Sequence, residues 1–171
     1  MTRYAIAISM LALGLSGCGN KTPTTPSENA PKFTAVLLPT NEVPPVTNAE
    51  VSGSGTVTIT FNLTKDSAGT ITAATADFST TVTGFPTGMT LTAAHIHPGV
   101  AGANGSPLVN LGLTPGEITF ATGAGSFAKN VITVSVDQAN SILANPAAFY
   151  FNIHTAANTT GVARGQLVRT Q

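Results

Sequence analysis

Thr56 to Thr64 alternates without a break: Val57, Ile59, Phe61 and Leu63 fall on one side, and Thr58, Thr60 and Asn62 on the other. A period of two gathers those apolar side chains on one face only if the segment is extended, so the stretch is a half-buried β-strand that needs a second layer to cover it. Lys65-Asp66-Ser67-Ala68-Gly69 is a turn leading into another strand, Thr70 to Thr83. Shorter runs of the same kind are Phe33 to Leu38, Leu91 to His97, Pro107 to Leu111, Glu117 to Ala121, Val131 to Val136, Phe149 to His154 and Ala163 to Val168, separated by Gly, Pro and Asn. That spacing predicts an all-β fold, an antiparallel sandwich of two sheets. One short helix is expected over Asp137 to Leu143, with Asp137 as its N-cap, ending before Pro146. No period of 20 to 50 residues repeats, which argues against a solenoid or propeller.

The sandwich has to be stabilised without many ion pairs. Charged residues are 8% of the chain against 42% hydrophobic, so its polar surface comes from Thr, Ser, Asn and Gly. Lys21, Lys32, Lys65, Lys129, Arg164 and Arg169 are scattered rather than clustered, which gives no support to nucleic-acid binding or to a polybasic contact with anionic lipid. The only cysteine is Cys18, so the folded domain has no disulfide and no thiolate site.

The amino terminus carries an address. Arg3 provides a positive start, and Tyr4 to Leu13 is apolar but for Ser9, too short for a spanning helix of about 20 residues. Leu15-Ser16-Gly17-Cys18 follows and resembles the bacterial lipobox. The expected organisation is a signal peptide over residues 1–17, a palmitate-type lipidated Cys18 with an unstructured tether over residues 18–31, and one β-domain over residues 32–171. Two or three acyl chains on Cys18 would anchor the protein to a membrane stably, where one chain alone binds marginally. Gly19 in place of Asp is, by resemblance to lipoproteins of two-membrane bacteria, compatible with transfer to an outer membrane. The cell envelope is therefore the expected location.

Chemistry concentrates in three histidines. His95-Ile96-His97 sends both imidazoles to one side of a strand, and His154 opposes Phe149, Phe151 and Ile153, which read as core. If the two strands are neighbours, the three rings converge on the face away from the core. Such a set suits copper or zinc, provided the nitrogens lie within about 4 Å of one another, given bonds near 2 Å. Met89, Leu91 and Ala93 share parity with His95, so the face is polar only if a bulge intervenes near Ala93. The alternative is three histidines that hydrogen-bond loop backbone and hold no metal.

Several segments together resemble the CHRD domain, the module named after chordin. They are Phe33 to Leu37 with Asn41-Glu42-Val43-Pro44-Pro45-Val46-Thr47, Ala93 to Gly99, Asn104 to Val109, Tyr150 to Thr155, and Gly161-Val162-Ala163-Arg164-Gly165-Gln166-Leu167. That family usually has an acidic residue where Val162 stands, so a salt bridge from there to Arg164 is absent. The family in turn is similar to copper/zinc superoxide dismutases, which implies an immunoglobulin-like sandwich, His95, His97 and His154 as counterparts of copper ligands, and Arg164 as the counterpart of an anion-steering arginine. No histidine lies between His97 and His154, so the dismutases' bridging imidazole and zinc ligands have no counterparts here.

Two readings of function follow. The first is a non-enzymatic surface module binding a protein, a glycan or the envelope, since no reaction motif is present. Ser52-Gly53-Ser54-Gly55 lacks the order of a nucleophile elbow, the acidic residues form no obvious pair, and Glu42 before Pro44-Pro45 reads as a rigid entry to the sandwich. The second is a three-histidine copper or zinc protein, a carrier or a weak dismutase.

Overall fold

The computed structural model describes residues 29–171; the expected signal peptide, Cys18 and nearly all of the expected tether lie outside them. Among the described residues are ten strands and one α-helix: β1 Lys32–Leu37, β2 Ser54–Lys65, β3 Ile71–Thr83, β4 Met89–Pro98, β5 Val109–Asn110, β6 Thr119–Phe120, β7 Gly125–Val134, α1 Val136–Ala144, β8 Phe149–Thr155, β9 Ala163–Gln166 and β10 Val168–Arg169. They form two sheets, in the order β10-β1-β2-β3-β7 and β5-β4-β8-β9, with β6 paired to the start of β4. Every pairing is antiparallel. The protein is thus the two-sheet sandwich that its alternation predicts.

The inner faces are made by the apolar half of each strand. Phe33, Ala35 and Leu37 from β1, Val57, Ile59 and Phe61 from β2, and Ala76 and Phe78 from β3 meet Leu91, Ala94 and Ile96 from β4 and Phe151 and Ile153 from β8. Phe78 and Phe151 stack across the gap between the sheets, with centroids 5.8 Å apart and planes at 29°. Residues just before β1 also pack onto the sandwich. Ala30 is buried, and the Pro31 carbonyl accepts from Phe61 N–H at 2.9 Å.

Three local features depart from simple alternation. In β4 the register against β8 runs Leu91↔Thr155 and then Ala93↔His154, so Thr92 is an extra residue. This bulge inverts parity: Met89 and Leu91 before it and Ala94 and Ile96 after it all lie in the core. In β7 the register against β3 passes from Ala76↔Ile132 to Phe78↔Lys129. Val131 there takes φ 57, costly for a β-branched residue, and its N–H is held by Asp77 Oδ1 at 2.8 Å. The strand therefore begins at Gly125 rather than at Val131, because the bulge conceals its period. Finally, Ala163 to Val168 is not one strand but two, since β9 pairs with β8 and β10 with β1. The buried Leu167 marks the crossing from one sheet to the other.

The helix is as short as expected but capped differently. Ser135, not Asp137, is the N-cap: its hydroxyl accepts from Gln138 N–H at 3.2 Å, and Gln138 Oε1 accepts from Ser135 N–H at 2.9 Å. The Ser-x-x-Gln spacing closes a reciprocal capping box, which satisfies two backbone donors where Asp137 could satisfy one.

The two sheets approach closely at Gly165, where a Cβ would sit 2.1 Å from the Val36 carbonyl oxygen. Gly165→Ala should therefore destabilise the protein by about 3 kcal/mol or more, the upper end of overpacking costs. Ala at Gly69, a turn where a Cβ would meet nothing within 4 Å, should cost only the smaller penalty of its positive φ. Urea midpoints of the two variants check this; equal losses would refute the close approach.

A roofed polar layer with three converging histidines

The outer face of the second sheet is set by register. Its cross-strand neighbours are Ala93 and His154, then His95, Asn152 and Arg164, then His97, Tyr150 and Gln166. Because β4 and β8 are adjacent and the bulge has reset parity, all three imidazoles turn away from the core to the same side, as alternation requires. They do not face open water, however. His97 and His154 are 5% and 6% exposed, and only His95 is half-buried. The loops before β2, after β4 and after β8 roof this face.

The roof fixes the chemical state of the rings. His97 Nδ1 lies 2.9 Å from the Gly105 carbonyl and His154 Nδ1 lies 3.1 Å from the Thr159 carbonyl. A carbonyl oxygen can only accept, so both Nδ1 atoms carry the hydrogen and both Nε2 atoms are left as lone pairs. His95 Nδ1 is 3.1 Å from His154 Nε2 and donates to it when the rings are neutral. His97 Nε2 is buried without a partner.

Protonation is disfavoured throughout. Burial is the main cause at each ring: it lowers His95 to about 4, with further lowering from His154 and His97. His97 and His154 are also lowered by burial, against the opposing pull of their Gly105 and Thr159 carbonyls. The result is three neutral imidazoles at neutral pH, the form that ligates metal.

One ligand atom from each of His95, His97 and His154 falls within 4.8 Å of the others. The widest separation exceeds the 4 Å expected of a closed site. An ion with bonds near 2.0–2.1 Å holds tetrahedral ligands about 3.4 Å apart, so binding would draw a pair 4.8 Å apart together by roughly 1.4 Å. The donor set fits copper or zinc: nitrogen-only, neutral, and in His97 and His154 oriented from behind by backbone carbonyls.

Tyr150 and Arg164 brace this set. The Tyr150 ring stacks on His97 with centroids 4.9 Å apart and planes at 3°, and its hydroxyl accepts from Gly105 N–H at 3.2 Å. Gly105 thus holds His97 with its carbonyl and Tyr150 with its amide. The Arg164 guanidinium lies 4.6 Å from the Tyr150 centroid. It is only 2% exposed, with Nε donating to the Asn41 carbonyl at 2.6 Å and Nη1 to Asn104 Oδ1 at 2.8 Å.

Its carboxylate partner is Glu42, 3.9 Å away, whereas Val162 is fully buried in the core. Burial pushes Glu42 up to about 7 against the lowering influence of Arg164 and Asn152. Gly161 permits this closure: at φ +140 a Cβ would stand 2.4 Å from Asn152 Nδ2 and 2.6 Å from Glu42 Oε2. Glu50 ties down the loop after β8, accepting from Thr155 Oγ1 at 2.8 Å and from Asn158 Nδ2.

Sequence reasoning found the three histidines and Arg164 but missed Glu42, Asn152 and Tyr150 as parts of one layer. Asn152 and Tyr150 alternate with core residues of β8, and that signal was available. Glu42 carries no such mark, because it arrives on a loop from the far end of the chain.

These states have a consequence for stability. A histidine whose pKa is lowered on folding binds fewer protons folded than unfolded, so its contribution is present above the unfolded value near 6.5 and is lost as pH falls towards about 4. Glu42, raised from 4.5 to about 7, acts in the opposite sense, favouring the folded state at the acid end of that window. Urea midpoints of the metal-free protein at pH 7, 5.5 and 4.5 should be less acid-sensitive in His95→Gln than in the parent. An unchanged acid slope would show that His95 is not held neutral.

No curated protein and no solved structure matches the chain. The family model described as the CHRD domain matches residues 33–167, which spans both sheets and the whole polar layer. This chain belongs to the CHRD domain family.

Proposed function

We propose that the protein is an exported module, tethered to a membrane through lipid on Cys18, that binds rather than catalyses, and that its histidine layer takes up one copper or zinc ion. The observation that carries the metal reading is the pair of locked tautomers. Gly105 and Thr159 consume the Nδ1 hydrogens of His97 and His154, which leaves the His97 Nε2 lone pair without a partner and the His154 Nε2 lone pair engaged only by His95 Nδ1, a contact an ion would replace. His95, the most exposed of the three, is the side from which an ion would enter. Copper bound there would supply redox capacity, and zinc would supply a Lewis acid.

A dismutase role receives less support than a carrier or binding role. Arg164, the residue that the resemblance assigns to anion steering, is held by Asn41, Asn104 and Tyr150 and lines a hollow that none of the three histidines lines. The tether reading rests on the lipobox-like Leu15-Ser16-Gly17-Cys18 and on the absence of any other cysteine. The binding-module reading rests on membership of the family and on the lack of a nucleophile or acid–base pair in the sequence.

Purified protein exposed to copper or zinc and then dialysed should retain about one equivalent. His97→Ala should abolish retention, and Tyr150→Phe, which removes only the hydroxyl that braces Gly105, should weaken affinity about 10-fold, as outer-shell changes do. Retention unchanged in His97→Ala would remove the proposed site. Cys18→Ser should move the protein from the membrane fraction to the soluble fraction of fractionated cells; its persistence in membranes would refute the lipid tether.

A further inference from the structure

A second hollow opens beside the polar layer, and none of the three histidines lines it. It is a groove of about 640 Å³ running over β9, between the loop after β1 and the loop that holds Ala101 and Gly102, a size typical of small-ligand sites. Val36, Val43, Pro45 and Val168 form apolar walls, and Glu42 and Arg164 belong to its lining. Val36 and Val168 are 60% and 58% exposed, two of the five large hydrophobics left exposed among the described residues.

The charged pair in this groove is built but incomplete. Glu42 and Arg164 are 5% and 2% exposed, yet Glu42 Oε1 and Arg164 Nη2 have no hydrogen-bond partner. Arg164 cannot swing away to find one, because Nε is bound to Asn41, Nη1 to Asn104 and its plane to Tyr150. A buried donor and a buried oxygen left open in this way are costly unless something meets them. A smaller hollow of 350 Å³ along β6 and β7 is lined by no such atom.

We propose that this groove binds a small carboxylate with a short aliphatic body, its acid group received by Arg164 and Glu42 and its chain laid against Val36, Val43, Pro45 and Val168. Arg164 is always cationic, and burial holds Glu42 near 7, so the pair presents a net positive charge and, when Glu42 is protonated, a second donor. The groups facing Glu42 are Arg164 from β9 and the non-titrating Asn152 from β8, while Arg164 also disfavours the charged form of His97 from β4. A sugar fits less well, since no aromatic side chain lines the groove as a platform for its ring. The site is independent of the metal reading.

The test is a titration of the isotopically labelled full chain, followed by NMR, with hexanoate, its neutral counterpart hexanamide, and glucose. Hexanoate should shift the amides of Val43, Gly102 and Gln166 with a Kd of roughly millimolar order, in keeping with so few ligand atoms. Val168→Asp, on an exposed strand at the rim, should leave the fold intact and weaken hexanoate about tenfold by placing a negative charge on the wall. Glu42→Gln should tighten hexanoate several-fold at pH 8, where the parent carboxyl is mostly ionised. Equal shifts from hexanamide, preferential binding of glucose, no shifts at these amides, or indifference to Val168→Asp would each overturn the proposal.

Discussion

The antiparallel register between β4 and β8 is the constraint on which this molecule is built. It places Ala94 against Ile153 and Ile96 against Phe151 on one face, and His95 against Asn152 and His97 against Tyr150 on the other. Hydrophobic burial fixes that register, because a slip of one residue would turn the polar side chains of the slipping strand, His95 and His97 from β4 or Asn152 and His154 from β8, into the apolar interior and expel its isoleucine. The single extra residue at Thr92 lets both halves of β4 obey this rule at once.

Once the polar halves of these strands share a face, the face must be satisfied. A sheet with one side in water would leave that to solvent. Here loops do it: the Gly105 and Thr159 carbonyls take the histidine hydrogens, the loop after β1 delivers Glu42 to Arg164, and Glu50 secures the loop after β8. Enclosure has an electrostatic effect in each case. Charge is disfavoured on groups cut off from water, so the histidines are held neutral and Glu42 is pushed upward, while the guanidinium keeps its charge and is clamped instead. A layer of neutral nitrogens beside an incompletely paired cation is suited to holding ligands. It has no nucleophile poised by a base.

The legible parts of the sequence were those governed by local periodicity. The strand over Thr56 to Thr64, the shared side of His95 and His97, and the placement of His154 opposite Phe151 and Ile153 all follow from the pleat. Readings failed where a long-range partner overrode the local pattern. Val131 breaks the period of β7 because Asp77, on another strand, captures its N–H. Leu167 splits one apparent strand into two because the chain there changes sheets. Glu42 looked like part of a rigid entry, since nothing near it in sequence reveals Arg164.

The sequence by itself determined the alternation, hence the sandwich and the side of the strand on which His95, His97 and His154 stand, because between bulges side-chain direction follows position parity. Only the tertiary structure decided that the histidine face would be roofed rather than wet, which tautomers it would hold, and which carboxylate would meet Arg164. Those outcomes depend on loops brought in from distant parts of the chain, and no local period encodes where a loop comes to rest.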